Sequence, residues 1–113
     1  MTTENRPWGE FRILFESENF KVKLIEVLPN LRLSYQSHTS RRESWTVVSG
    51  EARVTLNDRE LNLKVGDQID IPAGSKHRLA NPHGTTLKII EVQTGTYLGE
   101  DDIRRYEDDF GRN

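Results

Sequence analysis

Four side chains in this 113-residue sequence have the types and spacing to hold a divalent metal: Gln36, His38, Glu43 and His77. Three fall within eight positions, Q-S-H-T-S-R-R-E, and the fourth follows a Pro-x-Gly turn far along the chain. First-row divalent ions accept imidazole nitrogen together with carboxylate or carbonyl oxygen, so Gln, His, Glu and His make a workable mixed shell. A single His beside a turn is ordinarily surface decoration. Here only three His occur in the chain, and two of them sit in these patterns.

Strands are what must position them. Side chains alternate along an extended chain, so Gln36 and His38 share one face, and Glu43, Trp45 and Val47 share another. Arg32 joins the face of Ser34, Gln36 and His38 by the same parity, with Leu33 and Tyr35 opposite. The stretch G-D-Q-I-D-I-P-A-G-S-K-H-R-L-A-N forms a coherent unit. It reads as a turn at Gly66 and Asp67, a strand over 68–71, a tight bend over 72–74 and a returning strand from 77 to 79.

Further strands are expected over 11–15, 20–28, 43–49, 52–56, 60–65 and 86–94, with Asn57 and Asp58 as a hairpin turn. In the last of these, Ile89, Glu91 and Gln93 lie on one face and Lys88, Ile90 and Val92 on the other. Many short strands broken by regular turn signals argue for an all-β sandwich or barrel. Residues 1–5 read as a mobile polar tail. Arg6-Pro7-Trp8-Gly9 is an extended entry, because the residue before Pro avoids helical geometry, with Trp8 as its anchor. Residues 99–110 can turn helical, since Glu100, Asp101 and Asp102 suit a helix N-terminus.

Composition narrows the function classes. A chain of this length makes one domain, 1–113, with one core. With no Cys there are no disulfides, thiolate ligands or Cys nucleophile. A net charge of −2 gives no reason to expect nucleic acid. No apolar run approaches the roughly 18 residues of a membrane span and no signal pattern opens the chain, so a cytoplasmic protein without a membrane partner is expected.

The stretch from Gly66 to Asn81 resembles the second cupin motif, Gly-x5-Pro-x-Gly-x2-His-x3-Asn, at every position. Gln36 to Gly50 looks like the first cupin motif, with Gln36 in the place usually held by a His. R-L-S-Y-Q-S-H, R-R-E-S-W-T-V-V-S-G, I-P-A-G-S-K-H-R-L-A-N-P and I-I-E-V-Q-T-G-T-Y-L-G-E-D-D-I resemble the type II mannose-6-phosphate isomerase domain. That domain commonly ends bifunctional mannose-1-phosphate guanylyltransferases. The likeness runs from Arg6 to Arg112. It departs at Tyr35, where a small aliphatic is usual, at Ser44, which replaces a frequent His, and at Arg42, where a small residue is common.

The resemblance implies a double-stranded β-helix, or jelly-roll barrel, with a short C-terminal helix or turn. It implies one divalent ion (zinc, manganese, cobalt, nickel or iron) on Gln36, His38, Glu43 and His77. The activity implied is the interconversion of mannose 6-phosphate and fructose 6-phosphate, serving polysaccharide biosynthesis. Such chemistry moves a proton between adjacent carbons, which requires a general base. Glu91 is the candidate, with partnership to a nearby Arg or Lys as the other reading. Arginine forks suit phosphate. Arg32 is assigned to catalysis and substrate, and Arg41, Gln93 and Arg105 to substrate, with surface or structural ion pairing as the other reading of the arginines. A homodimer exchanging its N-terminal strand is expected. A non-catalytic sugar-binding or regulatory cupin is the rival reading. A dioxygenase, with three His and one Glu, fits less well with Gln36.

Overall fold

The computed structural model of the chain describes residues 2–113. Alternating sequence becomes antiparallel sheet throughout. Eleven strands form in chain order, and no helix occurs among the described residues: β1 (Thr2–Arg6), β2 (Gly9–Glu16), β3 (Phe20–Val27), β4 (Tyr35–Ser37), β5 (Arg41–Ser49), β6 (Ala52–Leu56), β7 (Arg59–Leu63), β8 (Gln68–Ile71), β9 (His77–Ala80), β10 (Leu87–Gly95) and β11 (Arg104–Glu107). One sheet has the order β1-β2-β3-β10-β5-β8 and the other β11-β4-β9-β6-β7. Their inner faces meet in one apolar cluster. Phe11, Ile25, Val27, Val47, Leu87 and Ile89 come from the larger sheet, and Ala52, Val54 and Leu79 from the smaller. Each large apolar side chain withdrawn from water there contributes about 1.5–3 kcal/mol.

The register of the larger sheet sets the character of the interior. Across β3, β10 and β5 the inward rows are Lys21-Gln93-Glu43, then Lys23-Glu91-Trp45, then Ile25-Ile89-Val47, with Val27-Leu87 beyond. All of these side chains are buried. The barrel interior therefore runs from polar at one end to apolar at the other, and the polar rows line the site. Strand β3 turns its lysines inward and leaves Val22 and Leu24 half-buried outside. Hydropathy alone would turn the other face inward.

Turn chemistry fixes the connections. Asn57 and Asp58, at φ of 48° and 69°, make the two-residue loop between β6 and β7, the left-handed pair that suits strand twist. Gly9 lies at φ 149°, and a Cβ there would overlap the Glu26 carbonyl oxygen of β3. Only glycine lets β2 start so close to its neighbour.

Two expectations need correction. Residues 2–5 are not a loose tail: Thr2–Arg6 pairs with β2 from Thr2↔Ile13 to Arg6↔Gly9, and Met1 of the expected tail lies outside the described residues. The pairing is made by backbone groups, so polar side chains hid it from a hydropathy reading. The C-terminal stretch forms no helix either. Glu100 and Asp101 sit in a turn, and Arg104–Glu107 adds to the smaller sheet beside β4. Asp102 is engaged elsewhere: its carboxylate accepts from Thr39 N, Thr39 Oγ1 and Ser40 N, each at 2.9 Å. A carboxylate capping a distant loop cannot cap a local helix.

Candidate functional site

His38, Glu43 and His77 converge, with one donor atom from each lying within 4.8 Å of the others. β4 ends just before His38, Glu43 belongs to the inner face of β5, and His77 opens β9 opposite Gln36. The bend before β9 is a tight turn in which Ser75 N donates to Pro72 O and Gly74 takes φ 82°. It leaves the Ser75 carbonyl 3.1 Å from His77 Nδ1. His38 Nδ1 likewise lies 2.6 Å from the Asp102 carbonyl. Carbonyl oxygens only accept, so each Nδ1 carries the hydrogen and each Nε2 keeps its lone pair.

Those two Nε2 atoms lie 3.2 Å and 3.9 Å from opposite oxygens of Glu43. Burial lowers the pKa of both imidazoles to about 4, so both are neutral at pH 7. Neutral imidazoles fixed through the second nitrogen, around a buried carboxylate, are the form a divalent ion takes. Donors about 2.0–2.2 Å from such an ion stand roughly 3 Å apart; the 3.2 Å pair has that spacing, and the 3.9 Å pair would close up around an ion. Gln36 lines the same cavity. Its amide nitrogen donates to Ser34 Oγ at 3.0 Å, a bond that does not use its carbonyl oxygen. Arg41 donates to the same donor atoms, Nε to Glu43 at 2.9 Å and Nη2 to His38 Nε2 at 3.1 Å. An ion held there must displace those bonds.

Glu91 lies beside this group without belonging to it. The Trp45 indole N–H is shared between Glu43 Oε1 at 2.9 Å and Glu91 Oε2 at 3.1 Å. Gln93 Nε2 donates to the other Glu91 oxygen at 2.6 Å. Burial, and then the negative charge of Glu43, raise the Glu91 pKa to about 7. The carboxyl is thus poised between proton donor and acceptor near neutral pH, and it lines the cavity.

Of the residues nominated from sequence, Gln36, His38, Arg41, Glu43, His77, Glu91 and Arg105 line one cavity. Arg32 and Gln93 do not. Arg32 is exposed and pairs with Asp109 at 2.8 Å in a separate groove. The parity argument failed because β4 covers only Tyr35–Ser37, and Arg32 makes just an isolated bridge to Ala80. Leu33 and Ser34 both line the cavity, so alternation lapses before the strand begins. Gln93 is fully buried behind Glu91 and supports that carboxylate instead of meeting a ligand.

Sequence reasoning missed Arg6, Lys23, Glu100 and Arg112, which also line the cavity. Lys23 Nζ holds Glu100 at 2.8 Å and stands 4.1 Å over the Phe11 ring. Lys23 shares a parity with Ile25 and Val27 along β3, but Val22 and Leu24 on the opposite face outweigh it in hydropathy, so the alternation did not mark it. Arg6 and Arg112, near the two ends of the chain, carried no periodicity that could mark them.

The family model described as "Mannose-6-phosphate isomerase C-terminal" matches residues 1–108. The alginate biosynthesis protein AlgA of Pseudomonas aeruginosa is 51% identical over 95% of this chain and 22% of its own length. The xanthan biosynthesis protein XanB of Xanthomonas campestris pv. campestris is 50% identical over 95% of the chain and 23% of its own. The mannose-1-phosphate guanylyltransferase ManC of Salmonella typhimurium is 46% identical, with 95% and 22% covered. The chain thus spans less than a quarter of these curated relatives. Among solved structures, the capsular polysaccharide assembling protein CapF of Staphylococcus aureus superposes with TM-score 0.79 at 19% identity, over 94% of this chain and 34% of that one. The Schizosaccharomyces pombe Cnp3 cupin domain does so with TM-score 0.73 at 17% identity, over 76% and 64%. The fold is that of a cupin.

Proposed function

The chain belongs to the mannose-6-phosphate isomerase C-terminal family, and from that premise we propose that it interconverts mannose 6-phosphate and fructose 6-phosphate with the help of one divalent metal ion. The observation that carries this reading is Glu91: a buried carboxyl that lines the cavity beside the His38-Glu43-His77 group without being one of its donors.

The reaction is an internal oxidation and reduction. C2 of mannose 6-phosphate passes from alcohol to carbonyl as C1 passes from aldehyde to alcohol, so one proton moves from C2 to C1 and a second from O2 to O1. Glu91 removes the proton from C2 and returns it to C1. A carboxyl with a pKa near the working pH is suited to both halves of that transfer. Trp45 and Gln93 each donate to it, one to each oxygen, and so hold the carboxylate plane in one orientation. His38, Glu43, His77 and Gln36 would hold the ion, which when bound supplies Lewis-acid stabilisation of charge on the sugar oxygens. Arg41, which lines the cavity with its Nη1 buried and without an acceptor, would donate to a sugar oxygen.

The test is exchange at C2. Metal-reconstituted protein in deuterated buffer should replace the C2 hydrogen of mannose 6-phosphate and yield fructose 6-phosphate, and His77→Ala should do neither. Absence of exchange with manganese, cobalt, zinc, nickel and iron each supplied would replace the isomerase reading with a sugar-binding one.

A further inference from the structure

The cavity that holds the metal-ligating group has three acidic residues on its wall, and the proposed isomerisation uses two of them. Glu43 is a metal donor, and Glu91 carries the proton between the carbons. Glu100 is left over. It enters from the turn after β10, and its side chain keeps 41% of its surface open. Lys23, equally idle in that chemistry, reaches the same wall from β3 with only 4% of its side chain open. Its ammonium donates to both Glu100 oxygens, at 2.8 Å and 3.1 Å, and rests 4.1 Å over the Phe11 ring.

Such a pair could serve only as a latch between strand and turn, yet the turn is anchored without it. Two residues before Glu100, the Leu98 carbonyl accepts from Lys21 Nζ at 3.0 Å. Two residues after it, the Asp102 carboxylate caps Thr39 and Ser40. Burial works against a charge on Glu100, but Lys23, and then Arg41 and Lys21, outweigh it and hold the carboxyl below the usual range. Lys23 and Glu100 are therefore an acid and a base one hydrogen bond apart, both on the cavity wall. Their place relative to Glu91 is set by the sheet. Lys23 lies opposite Glu91 in the register of β3 and β10, both pointing inward, on backbones about 4.8 Å apart.

Aldohexose phosphates in water are chiefly closed rings, in which C1 carries both a hydroxyl oxygen, O1, and the ring oxygen, O5. Isomerisation starts from the open aldehyde. We propose that Lys23 and Glu100 are an acid–base pair that opens the pyranose ring before Glu91 acts, so that the protein accepts the closed hemiacetal of an aldose phosphate. Glu100 takes the proton from O1, the electrons of that O–H bond form the C1=O1 double bond, the C1–O5 bond breaks, and Lys23 gives a proton to O5. The pair is left as carboxylic acid and amine, and a proton passing back across their 2.8 Å contact restores it. No further reactant is needed. Two oxygens on one carbon call for a base and an acid side by side, which is how this pair stands. C1 must also lie against Glu91 to receive its proton, and Lys23 is on the neighbouring strand. The step rests on the isomerase reading for its substrate.

Two measurements on the metal-reconstituted full chain test the pair. The first uses 2-deoxyglucose 6-phosphate, which lacks the C2 oxygen and so can open its ring but cannot become a ketose. NMR exchange spectroscopy follows the interconversion of its two anomers. Wild type should accelerate it, and Glu100→Gln and Lys23→Gln should each lower the catalysed rate by about 10²–10⁴-fold, the usual worth of a positioned acid or base. The second compares turnover of mannose 6-phosphate carrying hydrogen or deuterium at C2. In both variants the isotope effect should fall towards one, because a slow ring opening is blind to that bond. An effect as large as in wild type would mean a displaced Glu91 and would overturn the pair. Thermal melting identifies any variant that fails to fold, and Glu100→Gln, at the more open side chain, carries the test if Lys23→Gln does not. No acceleration of anomer exchange by wild type, or acceleration that the folded variants keep, also overturns it. Anomer exchange that depends on the pair, without C2 exchange on mannose 6-phosphate, keeps the pair and removes the isomerase reading. C2 exchange with anomer exchange independent of the pair does the reverse.

Discussion

A single indole proton joins the two carboxylates of this site, and the division of labour between them follows from what else each one meets. Glu43 accepts from the Arg41 guanidinium and stands beside the two imidazole Nε2 atoms, where an ion would sit. Glu91 is buried beside Glu43, and burial and then that negative charge disfavour its ionised form. Two carboxyls 48 positions apart, one on β5 and one on β10, thus acquire different tasks. Replacing Glu91 by Gln keeps the volume and removes the base. We expect turnover to fall by about 10²–10⁴-fold, the usual worth of a positioned acid–base group, with metal content by elemental analysis unchanged. Retention of turnover within a few-fold would assign the proton transfer to another group. At this scale the sequence was legible where spacing carried meaning: His38, Glu43 and His77 followed from the two motifs. It was illegible where charge was the clue. Lys23, Arg6 and Arg112 read as solvated surface because most lysines and arginines are, and only the fold turns these three inward.

The hairpin of β6 and β7 explains a residue that looked out of place. Tyr35 stands where a smaller aliphatic residue is usual in sequences of this kind, and the structure gives its hydroxyl two partners. It donates to Asp58 Oδ1 at 2.7 Å and accepts from Asp58 N at 2.9 Å. Strand β4 thereby pins the left-handed turn from across the sheet. Tyr35→Phe should cost about 1–2 kcal/mol in urea denaturation, the worth of two part-buried hydrogen bonds, with metal content unaltered. A loss near zero would mean that water replaces both bonds. Element boundaries were readable wherever alternation was long, as in β3, β5 and β10. Two elements escaped. β1 and β11 are held by backbone pairing to β2 and β4, and their sequences carry no inward apolar stripe to announce it. The acidic run before β11 pointed to a helix because local capping preference was the only signal, and the long-range hold on Asp102 overrides it.

Across the whole molecule, the rows of β3, β10 and β5 separate what stabilises the fold from what handles ligands. The prediction at this scale concerns that separation. Leu87 is fully buried at the apolar end of β10. Leu87→Ala should cost about 2–5 kcal/mol of stability. Well below the lowered melting temperature, the variant should still bind metal and exchange the C2 hydrogen of mannose 6-phosphate as wild type does. Loss of both in a folded variant would mean that the two ends are mechanically coupled. An all-β barrel was foreseeable from turn spacing. Its graded interior was not, because it depends on register, and register is set by pairing between strands far apart in sequence. The cavity wall has one further property. Arg6 and Trp8 come from the start of the chain, and Glu100, Ile103, Arg105 and Arg112 from its last fourteen residues. The most distant parts of the polypeptide are therefore neighbours at one rim. An affinity tag on either end would be tethered a few residues from that rim, and a polyhistidine tag would bring competing imidazoles with it. Metal stoichiometry and turnover are best measured on protein from which the tag has been cleaved.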